Sequence, residues 1–420
     1  MAQNPNYVLL QKKQSALPLT AIQVAGATSL PVLNSSIQLA HDFGFFKAFW
    51  ILLAGSILVW LVALTIITMT ANTTKSTLDN TKDYLGRLGA YIVALTLITS
   101  TIGWFVLQTN VATKIILTLV PIVNSTHINS FLQIGVGLGI LSTISCMEGM
   151  RGLRWVALIS FPILLTAFGL FLFFIPTTAT PISMLSPSST GLLAFAFGTS
   201  LSISVDYPTF FRHSVSKRQS LIAVSAIQLI TFLMGVGGLY LGDYIELTSH
   251  IQGWHVIFTG QLFMQILFLI LVVLSCLCVN MVNVYSASIG WEMVVPIFAG
   301  RKEYTILGLG LTSAFVLTTN IIPMHFLMKI TEVILSNLCL VLVFAYFGKK
   351  LLNRPVVPRL DQALYLIGWI LGSAIALTAA LQTEVNTRLF LLGYLLSVLS
   401  VVLTFSARRL FTRPFSQRPG

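Results

Sequence analysis

Charge is scarce in this sequence: Asp, Glu, Lys and Arg make up only 9% of its 420 residues. A soluble domain carries roughly a quarter of its residues as charges, so a soluble globular protein is excluded. Acid is scarcest, 12 residues against 24 Lys and Arg. The basic residues are scattered through short loops instead of forming one stripe, which argues against a nucleic-acid partner. Cysteine is sparse as well. Cys146, Cys276, Cys278 and Cys339 all fall in apolar runs, without zinc-ligand spacing or a secreted disulfide framework, and read as small core residues. The six histidines lie in or near loops without a clustered acid, so nothing supports a membrane-embedded enzyme, and no filter-like motif supports a channel. No cofactor or metal is expected. A cleavable signal is not expected either, because the first 17 residues are polar and include Lys12 and Lys13.

What the chain has in excess is apolar surface: 56% hydrophobic residues and a mean hydropathy of +0.89, the signature of a polytopic membrane protein. Apolar runs long enough to cross a bilayer predict twelve spans, at about 18–41, 45–71, 86–110, 130–147, 152–176, 189–210, 219–241, 262–290, 304–321, 325–348, 362–382 and 386–406, the third continuing toward Pro121. With both termini cytoplasmic, every Lys and Arg except Lys47, Lys114, Lys329 and Arg388 falls on the inner side, which is the positive-inside pattern. The short termini favour a bacterial inner (plasma) membrane, with the bilayer as partner and the chain a monomer.

Two of these runs are interrupted by small and hydroxyl residues. Ala25-Gly26-Ala27-Thr28-Ser29 breaks the first and Phe197-Gly198-Thr199-Ser200 the sixth. Such interruptions, at matching places in two halves, point to broken helices around a site at the bilayer midplane. Spans 1–5 (residues 18–176) and 6–10 (189–348) then form a five-plus-five inverted repeat, an odd number of spans per repeat reversing its orientation. Residues 1–17 make a cytoplasmic N-terminus, 349–361 a basic, proline-containing linker, 362–406 two added spans and 407–420 a basic tail.

The residues with chemistry cluster in three spans. Trp104 and Gln108 stand at i and i+4 on one face of span 3, a flat π-surface beside an amide that donates and accepts. That pair suits a planar heterocycle; it equally suits a Trp packed between helices with Gln as interhelical glue. Phe197, next to the Gly198 break, either walls the same site or fills core. In span 8, Asn280 and Asn283 bind something polar or tie helices together. Glu332 lies roughly 12 Å into span 10 at 1.5 Å per residue from Pro323, a proton-relay candidate or the partner of Lys329. Asp206, beside Arg212 at the end of span 6, reads as a gate or anchor.

These residues resemble the nucleobase:cation symporter family of cytosine, purine, uracil, thiamine, allantoin and hydantoin permeases. The likeness runs over about residues 16–350 and is carried by Lys75-Ser76-Thr77 through Ala90, by GWFVLQ at 103–108, by the nine-residue interval from Phe197 to Asp206 in the DYPTF end, and by Asn280-Met281-Val282-Asn283-Val284-Tyr285-Ser286. The resemblance implies a twelve-span, five-plus-five fold. It also implies base stacking by Trp104 and Phe197, and hydrogen bonding by Gln108 and Asn283. Ser29 stands where some members carry a substrate-contacting Gln. For a sodium site it implies carbonyls of Ala25 and Thr28 with two span 8 hydroxyls, but the matching positions here are Leu277 and Cys278, with Ser275 one turn away. Sodium wants hard oxygen ligands, so proton coupling competes with sodium. The expectation is a secondary active importer of a nucleobase, cytosine or a purine, with an amino-acid or other small-metabolite symporter of the same fold as the alternative.

Overall fold

The computed structural model describes residues 13–27, 30–70, 75–120, 127–174, 201–242, 262–295, 297, 300–318, 324–353, 356–382 and 386–411. Through them run thirteen helices: α1 (Ala16–Ala27), α2 (Leu30–Phe43), α3 (Phe45–Thr70), α4 (Thr77–Leu119), α5 (His127–Cys146), α6 (Met150–Phe173), α7 (201–211), α8 (Lys217–Gly242), α9 (Leu262–Val294), α10 (Arg301–Thr318), α11 (Met324–Leu351), α12 (Arg359–Ala380) and α13 (Thr387–Phe411). Eight of them are long and apolar enough to cross a membrane. The chain is an all-α polytopic membrane protein, the architecture that lets a segment in lipid satisfy its backbone polar groups largely within its own helix.

The twelve expected spans map onto these helices in order, α1 and α2 together forming the first. Thr28 and Ser29, at the break between them, lie outside the described residues, as do Phe197 and Gly198 at the expected break of the sixth, of which α7 is the described part. Ala25 falls in the last turn of α1. Among the strongest interhelical contacts of the core are α3 with α8, α4 with α9 and α5 with α10. These are spans 2 with 7, 3 with 8 and 4 with 9, each packing on the span five positions later.

The helix boundaries follow local chemistry. Ser76 and Asp79 form a reciprocal capping box, Ser76 N–H donating to Asp79 Oδ2 (2.9 Å) and Asp79 N–H to Ser76 Oγ (3.2 Å), which starts α4 nine residues before the expected span. The helix then kinks at Gly86, whose φ of 73° is open to glycine at little cost. The linker is shorter than expected: α11 runs on through Lys349 and Lys350 to Leu351, and α12 begins at Arg359. All four cysteines are buried and unbridged, as small core residues should be.

The two added spans dock on α11 and α4. Asn337 of α11 donates to Ser373 Oγ of α12 (2.9 Å) and Ser397 Oγ of α13 (2.8 Å), a polar knot in an apolar interface. There α12 and α13 come so close that a Cβ added to Gly372 would lie 2.0 Å from Ser397 Oγ and 2.3 Å from the Gly393 carbonyl oxygen. Gly372→Ala should therefore force the pair apart and destabilise the protein by about 1–3 kcal/mol, seen as a lower Tm in detergent; an unchanged Tm would refute the tight crossing.

Candidate functional site

The polar residues singled out in spans 3 and 8 meet along the α4–α9 seam. These helices run antiparallel, and two contacts set their register: Gln108 Nε2 donates to Ser275 Oγ at 3.3 Å, and a Cβ on Gly290 would sit 3.1 Å from the Ala94 carbonyl. Between these points Asn280 stands at the level of Trp104, and Asn283 about one turn further along, opposite Ser100 and Thr101. Gln108, Thr109, Ser275 and Asn280 are fully buried and Asn283 nearly so.

Thr109 was not visible as a site residue in the sequence, and it orients Asn280. Its hydroxyl donates to the Phe105 carbonyl (2.7 Å) and so can only accept from Asn280 Nδ2 (2.9 Å). That leaves Asn280 Oδ1 as a buried acceptor with no partner. Gln108 behaves alike: its amide nitrogen ties α4 to α9, while Oε1 has no partner, and Asn283 Nδ2 is a buried donor without one. An unmade buried hydrogen bond costs about 1–3 kcal/mol. Three along one seam mark a surface that a polar ligand or water completes. One end of each of Gln108 and Asn280 thus ties α4 to α9, and the other end is left without a hydrogen bond.

Trp104 is half-buried, joins none of the apolar clusters and has no ring partner among the described residues. The Phe197 face expected opposite it, and the Gly198 and Ser29 contacts, lie outside the described residues.

The positions implied for sodium are divided between different neighbours. Ser275 turns to Gln108, whereas Cys278 turns to α6, where it hydrogen-bonds Ser160. Beside Cys278 a small cavity between α1, α6 and α9 is lined by Ile22, Leu153, Ala157, Met281 and Val282. No hard oxygen ligand comes from these side chains. Glu332 is not the partner of Lys329: among the described residues it enters no ion pair, and its Oε1 is buried without a hydrogen bond. A salt bridge there would hold an ammonium in hydrocarbon, which a long lysine stem avoids by reaching toward the helix end.

A second cluster closes the end of the bundle that collects the basic residues. Ser286 Oγ of α9 donates to Asp206 Oδ2 of α7, and Thr77 at the start of α4 donates to the Val205 carbonyl (2.8 Å) while accepting from Thr209 (3.1 Å). Arg212 sends Nη2 to the Tyr285 hydroxyl (3.4 Å) and Nε to His213 Nε2 (3.3 Å). Since Arg212 Nε can only donate, His213 Nε2 is an acceptor, so the Tyr285 hydroxyl 2.9 Å away donates to it. Burial, and secondarily the Arg212 guanidinium, pull the His213 imidazole down to about 3, so the ring is neutral. Gln14, just before α1, pairs with this segment: its N–H donates to the His213 carbonyl (2.7 Å) and its carbonyl accepts from Val215 N–H (2.9 Å).

Solved structures share this fold. Mhp1, a nucleobase-cation-symport-1 family transporter, in a closed conformation with bromovinylhydantoin bound, matches with a TM-score of 0.71 and 14% identity over 97% of this chain and 95% of that one. A Na+-coupled sialic acid symporter in a substrate-bound outward-open state matches at 0.68 and 14% over 96% and 92%. A manganese transporter of Eremococcus coleocola matches at 0.55 and 10% over 96% and 89%. The chain matches no protein-family model and no curated protein sequence.

Proposed function

We propose that this chain is a secondary active importer of a nucleobase, cytosine or a purine, working by alternating access with a cation as the coupling ion. The observation that carries the reading is the set of unpartnered amide atoms, Gln108 Oε1, Asn280 Oδ1 and Asn283 Nδ2, along the seam that bears the free face of Trp104. A base supplies both complements at once: a π-face to stack on the indole and an edge of alternating donors and acceptors for the amides. In this reading Phe197 closes the stack from the sixth span, and Ser29, Gly198 and the broken-helix backbone complete the pocket. The site side chains that are described carry no charge, which suits a neutral base better than an amino acid, whose carboxylate calls for a cation or a helix N-terminus. Shared fold with cation-coupled carriers supports the mechanism: one helix bundle rocks against the other about a fixed central site.

The test is uptake of radiolabelled cytosine, adenine, hypoxanthine and uracil into cells lacking their own base carriers. One of the four is expected to enter saturably, to be blocked by excess unlabelled base and to be indifferent to amino acids. Saturable uptake blocked by amino acids instead would transfer the site to the alternative substrate class.

A further inference from the structure

We propose that transport by this chain is driven by protons rather than sodium, with the Glu332 carboxyl as the group that takes up and releases the coupled proton. The proposal rests on the transport reading above and adds its energy source. Two independent observations converge on it.

The first is the chemistry of the place where the resemblance puts sodium. A sodium ion that sheds its water needs several oxygen ligands held together. At the α1–α6–α9 contact the α9 side chains are Leu277 and the thiol Cys278, the adjoining cavity wall is otherwise apolar, the Ser160 hydroxyl of α6 is paired with Cys278, and Ser275 accepts from Gln108, which leaves single hydroxyls there where sodium needs several oxygens together. A thiol and aliphatic carbon are poor replacements for those oxygens.

The second is Glu332 itself. It is only 8% exposed, sits in mid-span on α11, and has Oε1 without a hydrogen bond. Tyr394 of α13 is the titratable group that lies against it, with its hydroxyl directed to the Val333 carbonyl (3.4 Å) and hydrogen-bonded to Ser336. Lys329 on the same helix, Lys114 on α4 and Arg388 on α13 form no ion pair with it. A structural carboxylate at membrane depth is ordinarily compensated by a cation or a full set of donors. Glu332 has neither. An acid left this way can hold a proton while enclosed and surrender it when the surrounding helices part and water enters. Its position between the ten-span core and the added pair α12–α13 gives that pair a part in coupling, since opening of the α11–α13 interface would hydrate the carboxyl.

The experiment uses the full-length protein in liposomes, loaded with whichever of the four bases the wild type carries. Under an inward proton gradient of one pH unit, a one-to-one symporter can accumulate base about tenfold, and removing sodium should change nothing. Glu332→Gln should lose accumulation, equilibrating base to about the outside level, yet still exchange labelled for unlabelled base; Glu332→Asp should recover part of the accumulation. The proposal is overturned if sodium is required, if Glu332→Gln accumulates like the wild type, or if both variants lose exchange together with accumulation, which would make Glu332 structural. A substrate-free arm separates this from failure of the nucleobase reading. Tm of the purified protein in sodium chloride and in potassium chloride should coincide; a sodium-specific rise overturns proton coupling whatever the substrate, whereas a protein that carries none of the four bases overturns only the substrate class.

Discussion

Trp104→Ala is expected to cut base uptake roughly 5- to 150-fold while leaving the amount of protein in the membrane unchanged. The indole is half-buried, lies outside the apolar clusters and has no ring partner among the described residues, so truncation removes little packing. What it removes is a stacking platform worth about 1–3 kcal/mol per base. On binding alone this is roughly a 5- to 150-fold loss of affinity, and uptake at substrate concentrations near KM falls by the same order. Trp104→Phe keeps a smaller π-face and should retain part of the activity. Gln108→Ala provides the contrast: it removes the acceptor Oε1 but also the tie to Ser275, so both uptake and Tm should drop. If Trp104→Ala instead lowers Tm and leaves uptake per folded molecule intact, the indole is a packing residue after all and the stacking claim fails.

That difference between Trp104 and Gln108 shows what could be read from the chain and what could not. The twelve spans, the interval between corresponding spans and the α4–α9 amides were legible, because hydropathy and i, i+4 spacing are local properties of a helix in lipid. The start of α4 was placed late, since Ser76–Asp79 capping and the Gly86 kink extend a helix beyond its apolar run. Glu332 and Lys329 satisfied the spacing of a pair, but spacing says nothing of the direction in which a neighbouring helix pulls each side chain. The junction of Arg212, His213 and Tyr285 joins residues more than seventy positions apart, and only the tertiary fold brings them together. Thr109 was hidden for another reason: it acts through Asn280, and a hydroxyl one position from Gln108 has no signature of its own.

The same junction sets the remaining prediction, that Asp206→Ala loosens the basic end of the bundle. Asp206 links α7 to α9 through Ser286 and is held in turn by Thr209 and Thr77, while Thr77 fastens the start of α4 to the Val205 carbonyl. In the proposed alternating-access cycle this end parts in one half of the cycle, so each bond across it weights the closed form. Two such bonds at about 1 kcal/mol each correspond to roughly a 30-fold larger open population when lost. Amide hydrogen exchange in residues 201–211 and in the first turns of α4 should accelerate by that order, with little change in α12 and α13. Exchange that stays at the wild-type rate would mean that apolar packing alone closes the end. Acid should act in the same direction through His213. Its imidazole, held near 3 in the closed junction against an ordinary 6.5, must be neutral to accept from Tyr285. Closure therefore keeps its full strength above about 6.5 and weakens as pH falls below it, because the open form takes up a proton that the closed form refuses. His213→Gln should remove this component of the pH dependence and leave the effect of Asp206→Ala in place, since the two ties cross the junction at different points.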